Sequence, residues 1–449
     1  MGRKSHSRSL AVWINGQHVA TWRMSARGAV ELQYDDQWLD APQGRPLSLS
    51  LPFQPGNLPL RGDVVTNYFD NLLPDSEPIR RRLAQRYRSE STGAFDMLQQ
   101  LGRDCVGAVQ LLNEGEQPGG YDRIEGDALS EVQVERHLER VVTPSGLMGW
   151  QEDNLDDLRL SIAGAQEKTA LLWHQGQWVL PRGATPTTHI FKLPLGRVGN
   201  EGRLNTSTSV ENEWLCLRIL GAFGLRVPRA AILRFGGQKV LGVERFDRRL
   251  HADGGWWMRL PQEDFCQARG LPSSLKYESD GGPGMQSICN ILQGSVAAEQ
   301  DLRDFMGSQI LFWMLAATDG HAKNFSIQLL KEGQYRLTPL YDVISMWPVI
   351  GHGVDKLEWQ KARLAMSVRS KSRHYRLHEI QRRHFNAMAA RCGLGSDAED
   401  LIRGLIERTA SVIDSVSREL PEGFPGEVAG PILDNLQNSA LRLREMPPK

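Results

Sequence analysis

Ala317-Thr318-Asp319-Gly320-His321-Ala322-Lys323-Asn324-Phe325-Ser326 closes a strongly apolar run that begins at Ile310. Polar residues thereby land at the end of a rigid helical element, where chemistry needs them fixed. Asp319 and Asn324 stand five apart, the D-x-x-x-x-N spacing in which an aspartate handles a hydroxyl proton and an asparagine oxygen meets a metal ion. Alone, that spacing also describes a helix cap followed by a loop Asn. The residues downstream shift the balance. Phe325 to Leu330 and Tyr335 to Leu340 flank the turn Lys331-Glu-Gly333-Gln and end in Tyr341-Asp342-Val343, so a hairpin returns a second carboxylate beside the first. A magnesium ion that bridges phosphates requires such hard oxygen ligands.

Upstream, further parts of a nucleotide site occur in kinase order. Ser161-Ile-Ala163-Gly164-Ala165-Gln166-Glu167-Lys168 places small residues between strand-like flanks, where backbone N–H groups can approach phosphate oxygens. Lys192 lies in Ile190-Phe-Lys-Leu193, one cation on an apolar strand. A helix from about Ser209 to Leu220 comes next, with Val210, Trp214, Leu217 and Leu220 on one stripe. It carries Glu211 and Glu213, either of which can pair with Lys192. Glu244-Arg245-Phe246 ends a later strand, where a hinge to adenine is expected. Each signal is weak alone, but their order points to a two-lobed kinase site. A small-molecule phosphotransferase would share this layout.

The chain has 449 residues, 40% of them apolar, with 53 Lys+Arg against 53 Asp+Glu. That composition describes globular domains and excludes a disordered chain or one coated in basic charge. Five cysteines without a C-x-x-C pair argue against a disulfide framework and a structural zinc site. No apolar run approaches the roughly 18 residues of a membrane span, so a cytoplasmic protein without a membrane partner is expected. Asn15-Gly16 between alternating apolar runs signals a hairpin, with a third strand at Ala29 to Tyr34. Helical spacing takes over between Asp63 and Arg88. The fold class expected is α+β: a small N-terminal α+β subdomain over residues 1–145, small-lobe elements over 146–255, and a mainly helical lobe over 256–449. Gln151 to Asp157 reads as a linker.

Several longer stretches sharpen this. Pro46-Leu-Ser-Leu-Ser-Leu-Pro52, Tyr68-Phe-Asp-Asn-Leu-Leu-Pro74, Gly102-Arg-Asp-Cys-Val-Gly-Ala108, Ser161 to Thr169, Arg245-Phe-Asp-Arg248, Leu260-Pro-Gln-Glu-Asp264, Lys276-Tyr-Glu-Ser-Asp-Gly-Gly282 and Thr318 to Ser326 run through nearly the whole chain. On them the sequence resembles the HipA family, serine/threonine kinase toxins of bacterial toxin–antitoxin pairs. The resemblance implies a phosphatidylinositol-kinase-like core using ATP and Mg2+. It implies Asp319 as catalytic aspartate and Asn324 and Asp342 as magnesium ligands. For ATP it implies Ala163 to Lys168, Lys192, Glu244, Arg245, Phe246, His321 and Lys323, together with Asn324 and Asp342. It further implies self-inactivating autophosphorylation at Ser161, glutamyl-tRNA synthetase as substrate, and growth arrest with drug tolerance. A helix-turn-helix antitoxin dimer and shared operator DNA complete the set of expected partners.

One charge feature bears on the DNA. Lys361 to His384 holds eight Lys/Arg against the single acid Glu379, with His374, His378 and His384 besides. Such a cluster suits phosphate contacts. Arg376, Arg382 and Arg383 are the candidates, and Val368 to Arg373 is expected to be a mobile loop.

Overall fold

The computed structural model describes residues 7–142, 160–164, 166–198 and 204–449. Strands Arg8–Ile14 and Gln17–Met24 form the expected hairpin, turning through Asn15 at φ 47° and Gly16 at φ 80°. Both angles lie in the left-handed region that Asn and Gly tolerate. Val30–Tyr34, Leu60–Arg61 and Gln110–Asn113 complete a five-stranded antiparallel sheet. Helices Asp63–Asp70 and Ala94–Leu101 cover one face. Trp22 from the sheet stacks on Phe69, ring centroids 4.1 Å apart, and seals that core.

The second sheet has the strand order Ala230–Phe235, Gln238–Glu244, His189–Lys192, Lys168–His174, Gln177–Pro181, Gly126–Leu129. Its last strand corrects the expected boundary at residue 145. Gly126–Leu129 pairs with Gln177–Pro181, and helix Glu131–Val142 packs against this sheet. Both therefore belong to the small lobe. The expected linker, Gln151 to Asp157, lies outside the described residues.

His137 on that helix is buried, with Nε2 2.8 Å from Thr169 Oγ1. Burial, aided by Arg86 and Arg140, pulls its pKa from 6.5 to about 4. The unfolded chain therefore takes the proton first as pH falls through 6.5, and stability drops with it. Between pH 6.5 and 5 the protein should lose about 2 kcal/mol more than a His137→Gln variant, read from urea midpoints. Parallel pH profiles for the two proteins would refute this.

Helix Ser209–Ala222 is buried beyond the expected stripe, because it lies between the sheet and the helical lobe. Glu211, Asn212 and Glu213 are all inside. Asn212 clamps the backbone of Ser345 from both sides at 2.8 Å, joining this helix to the segment that comes after Asp342. Helices Met285–Leu292, Ala298–Met314, Arg382–Arg391, Glu399–Arg418 and Gly426–Glu445 build the large lobe. It is less purely helical than expected. Gln262–Asp264, Ser326–Leu329 and Tyr335–Leu337 form a three-stranded sheet, and Arg363–Arg369 pairs with Arg373–Arg376. The expected mobile loop at 368–373 is the end of that hairpin. The five cysteines are buried and free, and no helix among the described residues is long and apolar enough to cross a membrane.

Candidate active site

The helix Ala298–Met314 is buried along most of its length and ends in a kink at Ala316, φ 48°. The chain then turns through Asp319 to Asn324. His321 N donates to Asp319 O at 2.8 Å and Asn324 N to His321 O at 2.9 Å, so the loop is held by its own backbone. Asn324 Nδ2 donates to Asp319 O at 2.9 Å and more weakly to Asp342 O at 3.4 Å. With its amide nitrogen turned inward, its Oδ1 is the atom left for a cation. Asp342 sits at φ 60°, a conformation that Asp and Asn adopt more readily than most residues. That kink returns its carboxylate toward Lys192.

Lys192 settles the choice left open between the two glutamates. Its Nζ lies 2.7 Å from Glu213 Oε1 and 2.8 Å from Asp342 Oδ1, whereas Glu211 pairs with Lys239 at 2.5 Å. Burial opposes the charge on Lys192, but the two carboxylates outweigh it and hold the ammonium well above its usual pKa. Burial likewise opposes charge on Asp342. Lys192 and Lys168 reverse that and keep it ionised far below the usual carboxylate range. Glu213, the most enclosed of the three, is pushed up by burial. Lys168 reaches back to Ala163 O at 2.7 Å, and burial lowers its pKa to about 8. Gly164 has φ 111°, and a Cβ there would collide with Lys168 Nζ. The loop therefore needs glycine for its backbone angle, whereas the flexible end of Lys168 could move aside.

One cleft brings together Ala163, Gly164, Gln166, Lys168, Lys192, Glu213, Glu244, Arg245, Phe246, Asp319, His321, Lys323, Asn324 and Asp342. Ala165 lies outside the described residues. Glu167 does not line the cleft, because its carboxylate turns to Arg82. Arg245 lines the cleft without offering it a free charge. Its side chain is 1% exposed and enters a buried network with Asp104 and Asp247. Lys323 is a strut: its Nζ donates to Asn71 Oδ1 at 2.7 Å, Asn71 O at 3.1 Å and Asp264 Oδ2 at 3.1 Å. It ties the catalytic loop to the N-terminal subdomain and has little left for phosphate. His321 is buried with Nδ1 unpartnered, and burial lowers its pKa.

The structure adds residues to which sequence reasoning gave no role. Asn71, Asp75, Asp264, Lys276 and Tyr341 also line the cleft, and Tyr277 donates to Asp319 Oδ1 at 2.6 Å. Most lie in stretches that carry the family resemblance; no spacing rule links them to Asp319. Ser161 is 1% exposed, and its Oγ donates to Leu72 O at 2.8 Å, on a strand paired with Asp104–Cys105. In the basic segment Arg363, Arg369, Lys371, Arg373, Arg376 and Arg383 are exposed. Arg382 departs from expectation: it grips Glu399 with two nitrogens and donates to Leu443 O at 3.0 Å, so its charge is neutralised within the lobe.

A strand lysine clamped between a helix glutamate and a metal-type aspartate, facing an aspartate on a rigid loop, is the working geometry of a kinase-type phosphotransferase. Comparison with known proteins gives that class a family. Residues 160–414 match the HipA-like C-terminal domain, and residues 10–112 match the HipA N-terminal domain. The chain is 34% identical over 342 residues to the putative kinase Y4mE of Sinorhizobium fredii, covering 75% of this chain and 77% of that protein. It is 27% identical over 358 residues to the serine/threonine-protein kinase toxin HipA of Shewanella oneidensis, covering 75% and 73%. A solved Shewanella oneidensis complex of HipA, HipB and operator DNA shares the fold, with TM-score 0.75 at 21% identity and 97% of both chains covered. The chain belongs to the HipA family of serine/threonine kinase toxins.

Proposed function

We propose that this kinase transfers the terminal phosphoryl group of ATP to a serine or threonine of a protein, and that glutamyl-tRNA synthetase is that substrate, as the family resemblance implies. The observation that carries the reading is the Lys192–Glu213–Asp342 cluster opposite Asp319. Lys192, Lys168 and the Gly164 backbone suit a polyphosphate. Phe246 and Tyr341, rings 5.7 Å apart, offer apolar surface in the same cleft for a base. The oxygens of Asn324 and Asp342 form a hard donor set that fits Mg2+. When bound, the ion supplies charge neutralisation on the phosphates. Asp319 orients the acceptor hydroxyl and takes its proton.

Autophosphorylation at Ser161 accounts for self-inactivation. A phosphoserine carries close to two negative charges, which a site buried against Leu72 O cannot hold. The strand Leu160–Ser161 would have to leave Asp104–Cys105 and take the phosphate loop with it. Co-repression with a helix-turn-helix antitoxin dimer at operator DNA completes the proposed activity. Two observations support it: the similar Shewanella HipA is solved together with HipB and its operator DNA, and the arginines around Arg376 and Arg383 are exposed.

Incubation with ATP and Mg2+ followed by mass spectrometry tests the catalytic core of this proposal. Phosphate is expected on Ser161, and none when EDTA removes the ion. Equal labelling with EDTA would refute the metal assignment. A phosphorylated metabolite with no labelled protein would make the chain a small-molecule phosphotransferase.

A further inference from the structure

The carboxylate of an aspartate turns about a broad terminal torsion, so a rigid loop alone does not aim Asp319. Something must hold its oxygens. Tyr277 is placed to do so, its hydroxyl 2.6 Å from Asp319 Oδ1. The His321 ring meets the Tyr277 ring edge-on with centroids 5.0 Å apart, and Lys276 Nζ lies 5.5 Å from its centre. Burial and the Asp319 charge raise the phenol pKa well above its ordinary value, which keeps the hydroxyl a donor at any working pH.

The segment around Tyr277 is anchored on both sides. Lys276 pairs with Asp75 at 2.9 Å, and its carbonyl accepts from Ala322 N of the catalytic loop at 3.1 Å. Glu278 accepts from Ser367 N at 2.6 Å and from Ser367 Oγ at 2.9 Å, on the strand Arg363–Arg369. Gly282 N closes back onto Tyr277 O at 3.0 Å. A Cβ at Gly282 would overlap Leu275 O, and one at Gly284 would strike the Glu278 carboxylate, so the path of the segment leaves little freedom.

We propose that Tyr277 is a positioning residue for the catalytic aspartate: it fixes Oδ1, leaves Oδ2 facing the acceptor hydroxyl, and is itself held by the Glu278–Ser367 clamp. This rests on the kinase reading of the site and deepens it. A small displacement of a reacting group costs up to about 100-fold in rate, so the expected effect lies in kcat and not in nucleotide binding.

The test compares wild type, Asp319→Asn, Tyr277→Phe and Glu278→Gln in one assay of ATP-dependent protein phosphorylation. Affinity for a fluorescent ATP analogue and the melting temperature are measured beside it. Tyr277→Phe should lose roughly 10- to 100-fold in kcat, with KM for ATP and analogue affinity within about twofold. Glu278→Gln should fall in the same direction, and the double variant should fall short of the product of the two effects, because both act through one element. An active wild type with Tyr277→Phe at unchanged or higher kcat would remove the positioning role and leave the kinase reading standing. A rise in KM alone would remove it too. A wild type no more active than Asp319→Asn would take down the kinase reading, and this proposal with it.

Discussion

An Asp319→Asn protein is expected to lose roughly 10²- to 10⁴-fold in kcat, the range that a positioned general base contributes. The substitution is isosteric, so the loop geometry should survive. Asn324 bonds the backbone carbonyl of residue 319, not its side chain, and the Lys192–Glu213–Asp342 cluster makes no bond to the Asp319 side chain. Nucleotide affinity should therefore stay within about twofold, a change under about 0.5 kcal/mol. Phosphate incorporation and analogue binding, measured on one preparation, separate the two effects. A variant that lost binding in parallel with rate would show that Asp319 holds nucleotide rather than acceptor. In cells expressing the variant, growth arrest should disappear.

An Asp104→Asn protein is expected to be destabilised by about 3–5 kcal/mol, the typical cost of removing one partner from a buried ionic cluster. Asp104 comes from the N-terminal subdomain. It receives Arg248 at 2.8 Å, Arg245 at 3.3 Å, Arg259 at 3.4 Å and Thr187 Oγ1 at 2.7 Å, all from the kinase core. Asp247 is the other anion, held by Arg245 and Arg248 and by Gly107 N at 2.7 Å. Three guanidinium groups thus share two carboxylates out of reach of water. Burial already pulls Arg259 down to about 10 against the attraction of Asp104, so loss of one charge leaves two carriers of repulsion unmatched. Asn keeps the volume, which confines the effect to charge. The surface control Asp400→Asn, a largely exposed partner of Arg403, should change stability by less than about 0.5 kcal/mol. Urea unfolding of the three proteins measures both. A wild-type midpoint for Asp104→Asn would mean that the cluster does not bind the subdomain to the core.

That cluster shows where reading along the chain stops. Arg245-Phe-Asp-Arg248 and Gly102-Arg-Asp-Cys are both recognisable as family stretches, and the order of the motifs points Glu244 to Phe246 at adenine. Nothing in the spacing says that Asp104 and Arg245, 141 positions apart, meet in the dark. Lys323 is the same case: the family resemblance puts it at the ATP site, while its partners Asn71 and Asp264 come from distant segments. Arg382 looks like part of a basic flank until helix Glu399–Arg418 brings Glu399 against it. Long-range partners neutralise charge without leaving a periodic trace.

The strand Gly126–Leu129 escapes local reading for a related reason. Its four residues pair with a strand about 50 positions later, and no local pattern records that register. By contrast, the Asn15-Gly16 hairpin, the strand carrying Lys192, the helix after it and the loop from Asp319 to Asn324 are legible, because positive-φ turns, apolar periodicity and short motif spacings are local properties. The order of the kinase parts, and Asp319, Asn324, Asp342 and Lys192 as the catalytic and binding candidates, were thus readable from the residues alone. Only the tertiary structure decided that Glu213 and not Glu211 pairs with Lys192, that Tyr277 grips Asp319, and that Lys323, Arg245 and Arg382 serve the scaffold. The reason is physical: which side chain exists is written locally, whereas whether its charge is free depends on what the rest of the chain buries against it.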